Sequence, residues 1–255
     1  MSERREVYYP KNLLTRSSAK TIKGEKLGWD THILYLVPHK QNSLGKNLCP
    51  NATAGCAAAC LYTSGRGKFN SVQKARHNKT DLFLKSKEWF MNKLYSELQL
   101  INNRNANSFI GGNKQCVRLN GTSDIPWENL KIRGKNLFEH FPHLQFYDYT
   151  KSKNRMYSNK HANYHLTFSR SESNDNDCVE VLDKGHNVAA VFNKDFYKRN
   201  LYDGGTALYS FSYTKQYEVL DGDQHDLRFL DEKGGFIVGL KAKADANKDK
   251  TGFVI

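Results

Sequence analysis

The sequence predicts an α/β protein with a mainly parallel β-sheet, arranged as an open or incomplete (β/α) barrel. Short runs rich in β-branched and aromatic residues alternate with amphipathic or polar stretches, a pattern typical of βαβ units. The 255 residues fit a single α/β domain spanning residues 1–255, since α/β barrels reach roughly 250 residues as one unit. Fewer strands can be counted than the eight of a complete barrel, and the connections shorten after Tyr149, so we expect an incomplete one.

The first predicted strand is the apolar run Thr31–Val37, and a polar, glycine-containing loop follows it. Two amphipathic helices come next. The first covers residues 71–85, and the second begins after the N-cap Ser86 and ends at Asn102 and Asn103. An amphipathic piece at 134–141 and four further β-rich runs complete the alternation, the runs lying at 116–119, 144–147, 164–168 and 188–192.

A C-terminal hairpin is predicted after these elements. Acidic residues and a glycine at 221–226 form a turn before the run Leu227–Leu230. Gly234 and Gly235 then lead into a second run, Phe236–Leu240. Two such runs joined by a glycine-containing connection are typical of paired antiparallel strands.

Composition and charge limit the class of protein. The net charge of +13 and the pI near 9.4 favour contact with polyanions, including nucleic acid, but the lysines are spread along the chain as on an ordinary solvated surface. No apolar run is long enough to cross a bilayer, and the first residues lack the apolar core of a secretory signal. Five cysteines, three of them within twelve residues, fit metal binding in a reducing compartment better than a disulfide framework. A cytoplasmic location without membrane contact is expected.

Three cysteines, Cys49, Cys56 and Cys60, stand in the loop expected after the first strand, at about residues 47–67. Their spacing is Cys-Pro-x5-Cys-x3-Cys, with mostly small residues between the thiols. Ala and Gly allow the backbone to wrap closely and to offer N–H groups to the sulfides of an iron–sulfur cluster. Three thiolates would leave one iron of a [4Fe-4S]-type cluster open to a substrate, a cofactor or a small ligand.

Two other interpretations of these cysteines stay open. Free cysteines can pack as small hydrophobic residues, although clustering in a polar loop argues against this. A structural zinc site needs a fourth ligand, for which Cys116, Cys178 or His77 are the candidates, and only Cys56 and Cys60 approach the close spacing usual for zinc ligands. The iron–sulfur interpretation treats Cys116 and Cys178 as non-ligands, because neither has a cysteine nearby in the sequence.

Several motifs carry a resemblance to a known family. They are LCPNATAGCAAACL at 48–61 and the segments 63–67, 72–76, 79–83, 118–124, 146–151 and 221–228. With these motifs most of the chain resembles a bacteriophage family of gene-product-eighty-eight-like iron–sulfur proteins. That family is similar in turn to radical-SAM enzymes, in which a loop after the first strand carries three cysteines and the fourth iron is open. The resemblance implies a reduced radical-SAM fold, cluster ligands at Cys49, Cys56 and Cys60, and the cytoplasm of an infected bacterial cell.

Two departures from the radical-SAM pattern bear on the cofactor. Radical-SAM enzymes space their cysteines as Cys-x3-Cys-x2-Cys with an aromatic residue just before the last one, whereas this chain has wider spacing and Ala59 there. The sequence also lacks a clear glycine-glycine-glutamate segment for the methionine amine. S-adenosylmethionine is therefore one candidate ligand of the open iron. Sulfide or another small anion, favoured by the positive charge, is the other.

Polar residues at the ends of the predicted strands are the candidates for contacting such a ligand, because sites in parallel α/β folds form at the carboxyl ends of strands. Turn formation and helix capping also explain a single Asn, Ser or Asp at these places. The candidates are Asn120, Ser123 and Asp124 after the second strand, Lys151 after the third, Ser169 and Arg170 after the fourth, and Asn193 after the fifth.

The sequence thus predicts an iron–sulfur protein that acts on a small ligand by redox or radical-SAM-like chemistry, with a reductant protein as partner. The alternatives are a simple electron carrier and a zinc- or cluster-stabilised protein that binds nucleic acid. Three cysteine ligands instead of four argue against a carrier, and the sequence has no recognisable nucleic-acid module. The acidic stretch at 221–226 does not match the spacing of a calcium loop, so we expect no second metal site there.

Overall fold

A computed structural model of the chain describes residues 8–16, 21–106, 111–201, 207–212 and 215–255. These residues contain eleven strands: β1 (Leu14–Thr15), β2 (Trp29–Leu34), β3 (Lys114–Arg118), β4 (Lys131–Ile132), β5 (Lys135–Asn136), β6 (Gln145–Thr150), β7 (Tyr164–Ser169), β8 (Val188–Phe192), β9 (Ala207–Ser212), β10 (Lys215–Asp221) and β11 (Ile237–Lys241). They also contain eight α-helices: α1 (Thr21–Glu25), α2 (Ala54–Ala58), α3 (Asn70–Lys85), α4 (Lys87–Ala106), α5 (Leu137–His140), α6 (Lys153–Ser158), α7 (Asp175–Asp183) and α8 (Lys194–Asn200).

Nine of the strands form one sheet in the order β1-β2-β3-β6-β7-β8-β11-β10-β9, and β4 pairs with β5 separately. All neighbours from β2 to β10 run parallel, whereas the edge strands β1 and β9 are antiparallel to their neighbours. The predicted α/β class with a mainly parallel sheet is therefore confirmed. Because parallel strands end at the same edge, the loops after β2, β3, β6, β7, β8 and β11 meet at one side of the sheet.

Helix α3 begins one residue before the predicted 71–85 range and ends at its predicted last residue. Helix α4, however, continues past the predicted stop at Asn102 and Asn103. Its last turn is anchored by Asn105, whose side chain accepts the N–H of Gln115 at 2.9 Å and donates to the carbonyl of His143 at 2.9 Å. These tertiary hydrogen bonds outweigh the weak helix propensity of asparagine.

The first strand of the parallel set, β2, lies two to three residues earlier than the predicted run Thr31–Val37. The N–H of Val37 donates to the hydroxyl of Thr80 on α3 at 2.8 Å, so the chain leaves the sheet after Leu34. Leu36 and Val37 are nevertheless fully buried. The apolar pattern therefore marks burial correctly but extends beyond the strand.

The predicted C-terminal hairpin is wrong. Strand β11 pairs in parallel with both β10 and β8, and residues Arg228–Leu230 form a 3-10 helix instead of a strand. The side chain of Arg228 is buried and bonds back to the carbonyls of Gly222 and His225, which folds the connection onto the sheet. There Leu227 and Phe229 pack with Cys116 and Tyr147.

The two faces of the sheet are covered differently. The large hydrophobic core on one face combines residues of α3, α4, α5 and α7 with strand residues such as Val117, Phe146, Phe168 and Val188. The opposite face carries the small cluster of Cys116, Tyr147 and Leu227. None of the helices in the described ranges combines the length and the apolar character needed to cross a bilayer.

The outer side of β1 is occupied by side chains of the helices. Both carboxylate oxygens of Glu97 on α4 accept the N–H of Leu13, at 2.8 and 3.1 Å, and one also accepts the N–H of Leu14 at 3.0 Å. The ammonium group of Lys79 on α3 donates to the carbonyl of Leu13 at 2.6 Å. The N–H groups of Leu13 and Leu14 and the carbonyl of Leu13, at the start of this edge strand, therefore have side-chain partners.

A buried carboxylate, Asp148 on β6, holds the loop that follows β3. Its oxygens accept the backbone N–H of Asn120 at 2.7 Å, the side-chain amide of Asn120 at 3.3 Å and the hydroxyl of Tyr164 at 3.0 Å. Burial raises the pKa of Asp148 to about 7, against the lowering effects of Arg118, these hydrogen bonds and Arg155. Its protonation state therefore depends on pH near neutrality.

The Asp148→Asn variant should change how stability depends on pH. Because folding raises the pKa of Asp148, its stabilising contribution is complete below about pH 4 and is lost as the pH rises through about 7. The difference in unfolding free energy between the wild type and Asp148→Asn should therefore shrink, by on the order of 2 kcal/mol, between pH 5 and pH 8. Urea unfolding at several pH values measures it. Asp195→Asn, an exposed position on α8, is the control and should give a constant difference.

Candidate metal centre

Cys49 lies in the loop between β2 and α2. Two backbone hydrogen bonds of the preceding residue, Leu48, hold this loop in place. The N–H of Leu48 donates to the carbonyl of His39 at 3.1 Å, and the carbonyl of Leu48 accepts the N–H of Asp124 at 2.9 Å. The sulfur of Cys49 accepts the N–H of His39 at 3.4 Å and lies 3.8 Å from the carbonyl oxygen of Thr122. The thiol is therefore placed at the carboxyl edge of β2 and β3.

Cys56 and Cys60 are placed by the short helix α2. Thr53 is its N-cap, and the hydroxyl of Thr53 accepts the N–H of Cys56 at 3.2 Å. The N–H of Ala59 closes the helix on the carbonyl of Gly55 at 2.9 Å, and Cys60 follows directly, before a 3-10 turn. One turn of helix thus separates the two thiols, with the alanines of the motif between them.

Glu172, in the segment after β7, caps the same helix from outside. One of its oxygens accepts the hydroxyl of Thr53 at 2.7 Å and the other accepts the N–H of Gly55 at 2.7 Å. Gly55 permits this close approach, because a Cβ there would lie 2.2 Å from the hydroxyl of Thr251 and 2.8 Å from the Glu172 carboxylate, and these side chains would have to shift. Sequence reasoning missed this contact, which spans more than a hundred residues.

The three thiols interact electrostatically with one another. Burial, together with the negative charges of Cys60, Asp124 and Cys56, raises the pKa of Cys49 to about 12, against the lowering effect of the His39 N–H. Burial and then Cys56 likewise raise the pKa of Cys60. All three thiols are partly exposed, whereas Cys116 and Cys178 are completely buried. The three predicted ligands thus influence one another electrostatically, and their binding of a metal stays a prediction, while the other two cysteines lie in the core.

Positive charge opposes this repulsion at Cys60. The N–H of Tyr62 and the cations Arg76 and Lys151 act to lower the pKa of Cys60, although burial prevails. The surrounding sequence has the same sign, because between Asp30 and Asp81 there are five lysines and two arginines but no Asp or Glu. This acid-free segment carries all three thiols. It is a signal in the sequence that motif spacing alone does not show.

Three of the predicted ligand-contacting residues meet at the strand ends. The carboxylate of Asp124 accepts the backbone N–H of Lys151 at 3.1 Å, and the ammonium group of Lys151 donates to the hydroxyl of Ser169 at 2.7 Å. The same ammonium lies 5.6 Å from the centre of the Phe253 ring. The nearby carboxylate of Asp124 forms its ion pair with Arg155. Among the described side chains, Lys151 has no carboxylate partner.

Asn120 and Ser123 lie inside the loop after β3. The side-chain oxygen of Asn120 accepts the hydroxyl of Ser123 at 2.9 Å, the N–H of Ile125 at 2.9 Å and the indole N–H of Trp127 at 3.1 Å. Its amide donates to Ile125 and to Asp148. These bonds shape the loop, and the predicted contact of both residues with a ligand stays a prediction.

Asn193 and Arg170 have other described partners. Asn193 is the N-cap of α8, and its side chain accepts the N–H of Phe196 at 2.8 Å. Arg170 is buried, pairs with Asp175 at 2.8 Å and donates to two carbonyls of the C-terminal segment. Their contact with a ligand stays a prediction.

The cavity in the described residues lies away from the thiols. Within the described ranges, no group of three or more His, Cys, Asp or Glu side chains could hold a metal ion. A cavity of about 310 Å³ is lined by residues that precede β8 and β11 and by the first residues of β10, including Asp183, Tyr217 and Phe236. It lies at the amino ends of the strands, opposite the cysteines.

The fold and the thiols define a mostly parallel α/β protein with a cysteine-bearing loop at the carboxyl ends of its strands. A family model described as Gene product 88 matches residues 12–255. The chain therefore belongs to this phage gene-product family. No curated protein and no solved structure matches it.

The Glu172→Ala variant should loosen the helix that carries Cys56. Burial acts to raise the pKa of Glu172, but hydrogen bonds from Thr53 and Gly55 lower it overall, so the stabilisation is present above about pH 4.5 and is lost as the pH falls. We expect a loss of about 1–2 kcal/mol in unfolding free energy at pH 7 and less at pH 3, measured by urea unfolding. The exposed Glu218→Ala should change stability by less than about 0.5 kcal/mol, and an equal loss in both variants would contradict the capping role.

Proposed function

We propose that Cys49, Cys56 and Cys60 hold a [4Fe-4S]-type cluster, and that its remaining iron takes a small ligand for redox or radical-SAM-like chemistry. One observation carries this proposal. The three partly exposed thiols of one loop lie within electrostatic range of each other at the carboxyl edge of a parallel sheet. Ligand sites of parallel α/β proteins form at this edge.

The residues around the thiols fit an iron–sulfur cluster. Backbone N–H groups of His39 and Tyr62 donate to the sulfurs of Cys49 and Cys60, and hydrogen bonds of this kind stabilise thiolate ligands. A cubane binds each thiolate to a different iron, so the thiols need not converge on one point. Zinc requires several ligands around a single ion and usually takes closely spaced cysteine pairs, whereas only Cys56 and Cys60 approach that spacing. The spacing of the cysteines therefore favours the cluster over zinc.

A bound cluster of this kind supplies one-electron transfer and, at an iron without a cysteine, a coordination position for an external ligand. The protein's own contribution is charge and orientation. Lys151 presents an ammonium group, held by Ser169, close enough to Cys60 to act on its pKa. Such a cation favours an anionic ligand, for example the carboxylate of S-adenosylmethionine, or sulfide. A reductant protein completes the proposal as the electron source.

The fold part of the proposal is an incomplete (β/α) barrel similar to that of radical-SAM proteins. Strands β2, β3, β6, β7 and β8 are neighbours in the order in which they occur in the chain, as expected of successive units around a barrel. The cysteine loop follows the first of these parallel strands. Both features support the resemblance that the motifs carry.

Protein purified without oxygen should contain about four irons and about four acid-labile sulfides per chain, as a cubane requires. The triple variant Cys49→Ala, Cys56→Ala, Cys60→Ala should lose both. Cys116→Ala and Cys178→Ala are matched controls that should retain them, because these thiols are enclosed in the core. Iron, sulfide and zinc analysis makes the measurement. Stoichiometric zinc without sulfide would overturn the proposal in favour of a structural metal site.

Ligand binding at the open iron should alter the electron paramagnetic resonance spectrum of the reduced protein. S-adenosylmethionine and sulfide are the two probes. Lys151→Met should weaken the response to an anionic probe at least several-fold while leaving iron and sulfide unchanged. Lys153→Met is the control, since Lys153 pairs with Asp177 and Glu180 instead. A spectrum that neither probe changes would favour an electron carrier or a structural cluster, with nucleic-acid binding left as the role of the positive charge.

A further inference from the structure

Arg76 is a buried cation without a carboxylate partner among the described residues. It lies on α3, its side chain is 9% exposed, and its Nε has no hydrogen-bond partner in the described part of the chain. The guanidinium carbon lies 4.8 Å from the ring centre of Tyr35 and 5.1 Å from that of Tyr62. Because arginine stays protonated in proteins, a charge buried in this way is unfavourable unless negative charge lies nearby.

A short series of contacts connects Arg76 to Cys60. The Nη1 of Arg76 donates to the carbonyl of Tyr62, and the N–H of Tyr62 donates to the sulfur of Cys60. Gly67 allows this approach, since a Cβ there would lie 2.4 Å from the carbonyl oxygen of Tyr62 and 3.2 Å from the Nη1 of Arg76. The guanidinium is therefore fixed within electrostatic range of a proposed cluster ligand.

We propose that Arg76 is a positioning residue that balances the negative charge of the thiolates through Cys60 and raises the reduction potential of the cluster they hold. This inference rests on the proposed function. Reduction adds one electron to a cluster that its thiolate ligands already make negative. A fixed positive charge that is partly shielded from water stabilises the reduced cluster more than the oxidised cluster. The two tyrosine rings stabilise the same cation through their π faces while no cluster is present.

The experiment compares reduction potentials of full-length protein loaded with iron and sulfide without oxygen. Arg76→Gln and Arg76→Met remove the charge, and Arg76→Lys keeps it. Arg66→Gln is the matched control, because Arg66 is an exposed arginine on the neighbouring 3-10 turn. Redox titration followed by optical and electron paramagnetic resonance spectra gives the potential. Iron and sulfide content and circular dichroism report cluster loading and folding.

We expect a lower potential in both neutral variants, a potential close to the wild type in Arg76→Lys, and no change in Arg66→Gln. If the neutral variants lose the cluster while Arg76→Lys retains it, the charge is required for assembly, which also supports the proposal. Unchanged potentials in the neutral variants would overturn the inference and leave the proposed function intact. Loss of fold or cluster in all three Arg76 variants would show a purely structural role. Wild-type protein without iron and sulfide would overturn the proposed function and this inference together.

Discussion

Asp124 is the residue on which the candidate site depends. Its backbone N–H donates to the carbonyl of Leu48 at 2.9 Å. Its carboxylate accepts the N–H of Lys151 at 3.1 Å and pairs with Arg155. The loops after β2, β3 and β6 are thus tied together at one edge of the sheet. Because Arg155 also binds Glu128 through two hydrogen bonds, it is held in place to neutralise Asp124, and Lys151 stays available.

Short-range patterns in the sequence were sufficient for the class of fold. Strand β8 and helix α3 follow from periodicity, and the position of the cysteine loop after β2 follows from chain order. The prediction of a C-terminal hairpin was wrong because of tertiary packing. Leu227–Leu230 has the composition of a strand, but Leu227 and Phe229 pack against the second face of the sheet, where Arg228 can bond to nearby carbonyls. Local composition does not distinguish these two ways of burying an apolar run.

The candidate site shows a similar limit. In the sequence, an asparagine that contacts a ligand cannot be distinguished from one that shapes a loop. Only the hydrogen bonds of Asn120 with Asp148 and Trp127 show that it shapes the loop after β3. Glu172 lies in no motif, and the motif that includes Arg76 does not indicate its role. Their importance comes from distant partners, Gly55 for one and the carbonyl of Tyr62 for the other. Such contacts require the fold itself.

The side-chain bonds at β1 have a consequence for association. An edge strand normally offers free N–H and C=O groups on which a foreign chain can assemble, and this is a common route to aggregation. Here Glu97 and Lys79 already occupy the backbone groups of Leu13, and Glu97 also binds the N–H of Leu14. A second molecule would have to break these charge-assisted bonds before it could extend the sheet. This border therefore resists fibril-like stacking by means of two helix residues, without a proline or a bulge.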